Sequence, residues 1–254
     1  MSQPEPASDP AAPAYPRAIH LHPTAALAER VLLPGDPGRA LALAQTLLVK
    51  PLMFNHHRGL WGYTGPAVAD GEPLTIQSTG MGGPSAAIVL TELIALGARR
   101  LIRVGTCGAL APDLALGELV VACESFCLDG TSRALGAGTR VAADPALTEA
   151  LLRAGRSRIG PSKRPVHAGA IVSVDLFYDD SDSRSPHHPT DALAIEMEAA
   201  ALFAVGAGAC VPVACLLAVS DTFDAFGVRT RIDDDSLLAA GEAMGAVAVA
   251  ALPA

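Results

Sequence analysis

Residues 74–96 read LTIQSTGMGGPSAAIVLTELIAL. The run Leu74–Ser78 is short, apolar and bounded by Pro73 and Gly80, as expected of a strand buried in a sheet. Three glycines then interrupt it, and Pro84–Leu96 shows helical spacing. Pro84 sits where a first-turn proline is tolerated, and Gly97 stands where a helix C-terminus favours glycine. The same unit of strand, glycine and helix recurs outward in both directions. Further strands are predicted at Arg30–Leu33, Leu101–Val104, Glu118–Ala122, Ala168–Ser173 and Val213–Ser220, and helices at Arg39–Leu48, Pro145–Ala154 and Glu198–Gly208. This alternation indicates an α/β protein.

The chain has 254 residues, close to the upper end of what one core supports. Half of it is apolar but only 4% is aromatic, so the interior must be built from Ala, Leu and Val. No interior linker divides it, and one domain over residues 17–254 is expected. Residues 1–16 lack a basic and an apolar region, so they read as a disordered tail and not a secretory signal. A formal charge of -8 argues against a nucleic-acid-binding surface. No apolar run reaches the ~20 residues of a membrane span, and Leu237–Leu252 reads as an Ala-rich terminal helix. The five cysteines are odd in number and lack paired zinc spacing, which suits reduced thiols in a cytoplasmic protein. Asp179–Asp191 is polar and holds His187 and His188, as a surface loop or lid flank would.

Ligands of α/β sheets gather beyond the carboxyl ends of the strands. The segments found there are Gly35–Arg39, Gly80–Ser85, Arg103–Gly108, Glu196–Glu198 and Ser220-Asp221. Ser85, Thr106, Arg39 and Arg103 with two Gly-rich turns could cradle one phosphate. Neither turn is a P-loop or a dinucleotide fingerprint. Taken singly, the glycines could serve tight turns alone and Arg103 could be a surface charge. Glu196 and Glu198 around Met197 suit a sugar, or the dipole of the helix that follows. Asp221 ends an apolar run, where desolvation is expected to raise its pKa and make it a proton donor; a capping role is the alternative. His22, His56 and His57 read as surface or packing residues, and no metal is expected because no Cys or carboxylate stands at ligand spacing from any of these histidines.

Together these segments resemble the nucleoside phosphorylase family that includes hexameric purine-nucleoside phosphorylases and uridine phosphorylases. The resemblance rests on VLLPGDPGR (Val31–Arg39), NHHRGLWGYTG (Asn55–Gly65), TGMGGPS (Thr79–Ser85), ELIALGARRLIRVGTCGAL (Glu92–Leu110), VSVDLFY (Val172–Tyr178), IEMEAAALF (Ile195–Phe203) and VSD (Val219–Asp221), in that order. It implies an α/β fold with a mixed, partly barrel-like central sheet flanked by helices. It further implies phosphate binding by Gly35, Arg39, Arg103 and Thr106, with Arg58 supplied by a neighbouring subunit. His20 would reach across the same interface to the ribose. Met81, Met197 and Glu198 would hold the sugar, and Phe177, Cys107, Gly108 and Ile195 would line the base pocket. Asp221 would protonate the purine, helped by an arginine for which Arg229 and Arg231 are both candidates.

The activity so implied is phosphorolysis of purine nucleosides to free base and pentose 1-phosphate in purine salvage. It needs inorganic phosphate as co-substrate and no other cofactor. Such chemistry suits these residue types, because a fixed anion beneath the sugar and a proton donor at the base stabilise the two halves as they separate. The short segment after Tyr178 lacks the residues with which uridine phosphorylases read pyrimidines, whereas Leu128–Ser132 resembles those enzymes as well. Uridine phosphorolysis is therefore the first alternative, followed by hydrolytic cleavage and by non-catalytic nucleoside binding. The family implies a homo-oligomer, a hexamer built from dimers.

Overall fold

A computed structural model describes residues 18–158, 166–178, 189, 191–224 and 227–252. The tail at 1–16 and the pair His187 and His188 lie outside these residues. Among the described residues eleven strands and six helices follow one another as β1 (Arg30–Leu33), α1 (Pro37–Leu47), β2 (Leu52–Asn55), β3 (Gly62–Pro66), β4 (Pro73–Gln77), α2 (Gly83–Leu96), β5 (Arg100–Ala109), β6 (Leu119–Cys127), α3 (Gly130–Ala134), β7 (Arg140–Ala142), α4 (Pro145–Arg158), β8 (Val166–Ser173), β9 (Ala192–Glu196), α5 (Ala199–Ala209), β10 (Val213–Phe223), β11 (Arg229–Arg231) and α6 (Asp234–Ala251).

All described strands belong to one mixed sheet. Strands β2, β3, β4 and β1 form an open wing that joins β5. From β5 the sheet runs through β9, β8, β6 and β10, and β10 pairs back onto β5. Those five strands close a barrel, as expected, and β11 adds to β10 as a hairpin arm.

Side-chain alternation along β10 explains the layering. Val213, Cys215, Leu217 and Val219 join the core on the α2 and α5 side, whereas Ala214, Leu216 and Ala218 join the core beneath α1, α4 and α6. A strand covered on both faces has no polar side to show, which is why Val213–Val219 is continuously apolar. Helix α5 follows the same logic. Ala199–Phe203 are all buried, so its Ala-rich sequence reflects close packing.

Six predicted strands and five predicted helices are present. Arg30–Leu33 has the predicted bounds, and Gly97 ends α2 with φ 117°. β6 runs on to Cys127, and the two strands of the barrel seam also run further than the sequence suggested. β5 continues through Gly105-Thr106-Cys107-Gly108 to Ala109, and β10 continues past Asp221 to Phe223. The cause is their mutual pairing, Val213–Asp221 against Leu101–Gly108, which holds glycines extended despite their poor strand propensity. Strands β2, β3, β7, β9 and β11 and helix α3 are too short or too polar to show a period. Among the described residues no helix is long and apolar enough to cross a membrane. All five cysteines are free.

Contact between α5 and β10 requires a glycine. A Cβ on Gly206 would stand 2.5 Å from Val213 Cγ2 and 2.9 Å from the Val211 carbonyl oxygen. Gly206→Ala should therefore cost about 1–3 kcal/mol through overpacking. Urea unfolding measures this, and an unchanged midpoint would contradict the packing described.

Candidate active site

Strand β5 carries Arg103 to the α2 and α5 side of the barrel, where it is 4% exposed. It is thus no surface charge. Its Nε donates to Glu196 Oε2 at 3.0 Å, and its Nη2 donates to Glu198 Oε2. The remaining nitrogen, Nη1, is buried and has no partner among the described residues. A Cβ placed on Gly35 would come within 3.9 Å of Nη1 and 3.3 Å of the Gly80 carbonyl, so Nη1 faces the space beside those two loops. Gly80 N–H donates to Gly35 O at 3.0 Å and joins the loops. An orphaned buried donor is costly unless a ligand completes it. Gly105 keeps room for this arginine, since a Cβ there would lie 2.7 Å from Nη2.

Glu196 ends β9 and is fully engaged. Its Oε1 accepts from Ser173 Oγ at 2.5 Å and Ala199 N at 2.9 Å, and its Oε2 accepts from Glu198 N at 2.9 Å besides Arg103. It therefore takes the first N–H groups of α5 and orients Arg103 as well. Burial pushes its carboxyl above the usual range, and the Arg103 charge opposes this. Glu198 bridges in the other direction, its Oε1 accepting from Gly82 N at 2.6 Å. Burial opposes the charge of Arg103, yet Glu198 and Glu196 outweigh it and hold the guanidinium protonated. Met197, between the two acids, is half-buried, whereas Met81 is 89% exposed. Thr106 is half-buried further along β5, opposite Ala218.

Arg39 enters from the first turn of α1, where Asp36 caps the helix through Arg39 N at 2.7 Å. Burial lowers its affinity for a proton. Asp36 offsets that, and the nearby charges of Arg103 and Arg231 lower it further. Arg39 and Arg103 therefore share one basin with Arg231 at its edge.

Asp221 is buried on β10, and β11 places Arg231 directly opposite it. Arg229 Nε donates to Asp221 Oδ1 at 2.7 Å, Arg231 Nη1 lies 3.1 Å from the same oxygen, and Ser220 Oγ donates to Oδ2 at 2.6 Å. The expected rise in its pKa is corrected here. Burial does push the carboxyl up, but Arg229, Ser220 and Arg231 together hold it below the ordinary aspartate value. The sequence could not place both arginines on one carboxylate, because this depends on the hairpin register.

Around Asp221 the expected base-pocket residues converge only in part. A Cβ on Gly108 would meet Ile195 Cγ2 at 3.2 Å and Phe223 at 3.3 Å, so Gly108, Ile195 and Phe223 form one wall. Phe223 was not foreseen. Its signal was the alternation of β10, which carries past Asp221 and returns the same face two residues on. Phe177 is 53% exposed, and Arg229 Cζ lies 4.8 Å from its ring centroid. Cys107 is buried with its thiol 3.7 Å from Ala218 O, and burial pushes that thiol far above its ordinary value. It packs the floor and is not a reactive group.

His20 stands apart from this basin within the chain. Glu92 on α2 accepts N–H donors from Ile19, His20 and Leu21, and its Oε1 lies 2.6 Å from His20 Nδ1. Glu92 is nine residues beyond Gly83, hence about 13 Å along the helix at 1.5 Å per residue. Arg58 is exposed in a 3-10 turn with φ 58°. His22 and His57 stack at 3.9 Å, in line with a packing role. Among the described residues no cluster of His, Cys, Asp and Glu could hold a metal ion.

Although buried, Glu92 is kept below its usual value by His20 and the backbone donors. The stability it lends is therefore complete above the ordinary glutamate range and is lost as pH falls through its lower folded value. Glu92→Gln should cost about 1–3 kcal/mol at neutral pH by leaving donors poorly matched. The variant should also lose stability less steeply between pH about 5 and 3. Urea midpoints across pH measure both, and parallel curves for the two proteins would refute the anchor.

Known proteins resemble the chain in sequence and in fold. A family model described as "Phosphorylase superfamily" matches residues 29–253. A DeoD-type purine nucleoside phosphorylase of Geobacillus kaustophilus is 37% identical over 200 residues, covering 78% of this chain and 83% of that protein. Another from Clostridium novyi is 39% identical over 199 residues, covering 77% and 83%. Among solved structures, uridine phosphorylase from Vibrio fischeri superposes with a TM-score of 0.77 at 25% identity, covering 89% of this chain and 92% of that one. The chain that closes its barrel around Arg103, Glu196 and Glu198 belongs to the phosphorylase superfamily.

Proposed function

We propose that the protein is a purine-nucleoside phosphorylase, an enzyme of purine salvage that transfers a pentosyl group from base to phosphate. The observation that carries this is the orphaned Nη1 of Arg103, buried beside the Gly35 and Gly80 loops while its two sister nitrogens are locked onto carboxylates. An arginine so fixed presents a charged donor for an anion and cannot fold away to water. The DeoD-type relatives at 37% and 39% identity support the purine reading.

In the proposed mechanism, Arg39, Arg103, Thr106 and the Gly35 backbone hold phosphate. Glu198 and Met197 meet the ribose, and Met81 closes on it. Glu198 would accept a sugar hydroxyl beside its Gly82 N–H, the two acceptor sites of a carboxylate oxygen allowing both at once. Phe177, Ile195, Gly108 and Phe223 surround the base, above Cys107. As the glycosidic bond lengthens, its electrons pass to the base and a phosphate oxygen bonds to C1′. Asp221 then hands its proton to the base, and Arg229 steadies the carboxylate that remains. The phosphate ester loses one proton in turn, so the cycle balances. No cofactor beyond inorganic phosphate enters this scheme.

His20 is tied to Glu92 along α2 and Arg58 is exposed, which supports assembly into a homo-oligomer where they complete a neighbour's site. Dimers gathered into a cytoplasmic hexamer fit that reading. Uridine phosphorolysis remains the second reading, favoured by the likeness to the Vibrio fischeri enzyme.

Inosine or adenosine with phosphate should yield free base and pentose 1-phosphate, with uridine turned over more slowly. Asp221→Ala should lower kcat for purine substrates by roughly 10²- to 10⁴-fold, the usual worth of general acid catalysis, without weakening phosphate binding. Cleavage that proceeds equally well without phosphate would overturn the reaction, and preference for uridine would overturn the substrate.

A further inference from the structure

A carboxylic acid that donates a proton must first carry one, and Asp221 is placed to lose it. Two guanidinium groups and the Ser220 hydroxyl converge on it, which favours the anion. The two arginines are held differently. Arg229 makes one short contact at 2.7 Å and lies over the Phe177 ring. Arg231 straddles both oxygens with a single nitrogen at 3.1 and 3.2 Å, and its side chain is 56% exposed. Among the described residues no hydrogen bond engages its Nε or Nη2.

Arg231 also stands at a junction. It is the last residue of β11, and Asp233, two residues later, caps α6. The first turns of α6 and α1, with Asp234, Leu237, Asp36 and Arg39, wall one cleft of about 220 Å³. Arg39, which lines that cleft, feels the charges of both Arg103 and Arg231, and Arg229 shares Asp221 with Arg231, so four cations gather around the basin. Glu196, Glu198 and Asp221 pair with them. Four positive groups against three carboxylates leave a surplus of one, short of what a dianion needs. Charge balance then requires a carboxylate to give up its charge when phosphate arrives.

Resting on the phosphorolytic reading above, we propose that Arg231 is a positioning residue that changes partner. It lies on Asp221 while the basin is empty and turns to the phosphate once this is bound, leaving Asp221 with Arg229 and able to take a proton from solvent. That proton is the one later given to the departing base. The other groups facing Asp221 do not compete for this part: Ser220 is neutral, and the Cys107 thiol on β5 is kept protonated by burial. Water alone in the basin does not draw Arg231 away, so the acid stays unarmed and the nucleoside is spared hydrolysis.

Calorimetric titration of the full chain with inorganic phosphate, and with sulfate, which does not titrate near neutrality, tests this in buffers of differing ionisation heat. Wild type should take up part of a proton per anion bound, and Asp221→Asn should take up almost none. Arg231→Gln should bind both anions about tenfold more weakly, the worth of one charge-assisted hydrogen bond, with less than half the wild-type uptake. Arg231→Lys should restore part of both, and Arg229→Gln should keep the affinity for the anions. Uptake in Arg231→Gln equal to that of wild type, or equal uptake in wild type and Asp221→Asn, would overturn the exchange. Were Arg231-dependent uptake found in a protein that forms no pentose 1-phosphate, the reaction assigned above would fall and the exchange would stand.

Discussion

The clamp of Glu196 and Glu198 on Arg103 is the constraint from which the rest of this molecule follows. A guanidinium with 4% exposure has lost nearly all its water, and removing one partner of such a buried pair typically costs about 3–5 kcal/mol. The clamp is satisfied only where β5, β9 and the start of α5 meet. It also fixes direction. With Nε and Nη2 committed, the planar fork leaves a single N–H pair pointing at the Gly35 loop.

Around this centre the fold divides its labour between two cores. The core beneath α1, α4 and α6 is apolar and carries no chemistry, whereas the core beneath α2 and α5 ends in the charged cluster. Strand β10 serves both, as β1, β5 and β6 do, its alternate residues packing into opposite cores before it delivers Asp221. Precision at the acid therefore derives from a strand buried on both faces.

Much of this could be read in the sequence, and the limits have physical causes. Buried strands and long helices announce themselves through apolar runs and periods, so β1, α2, α5 and α6 were legible. Strands β9 and β11 were not, because their pairing partners and not their own residues hold them extended. For the site, the residue types were legible from the segments at strand ends, but their coupling was not. Nothing in Glu196-Met197-Glu198 alone tells that one acid turns to the helix and Arg103 while the other reaches Gly82. The depressed carboxyl of Asp221 likewise depends on a hairpin register that places two arginines opposite one residue. Phe223 escaped notice because the strand was expected to stop at Ser220.

The seam between β5 and β10 sets Arg103 beside Cys215, more than a hundred positions apart along the chain. Contacts so distant in sequence form late and slowly, because the intervening loop must be closed before they repay its entropy. A nascent or partly collapsed chain can hold the open wing and several helices and still have no place for an anion. Competence to bind therefore arrives with the final zipping of the barrel, and ligand protection against proteolysis would distinguish finished molecules from compact intermediates.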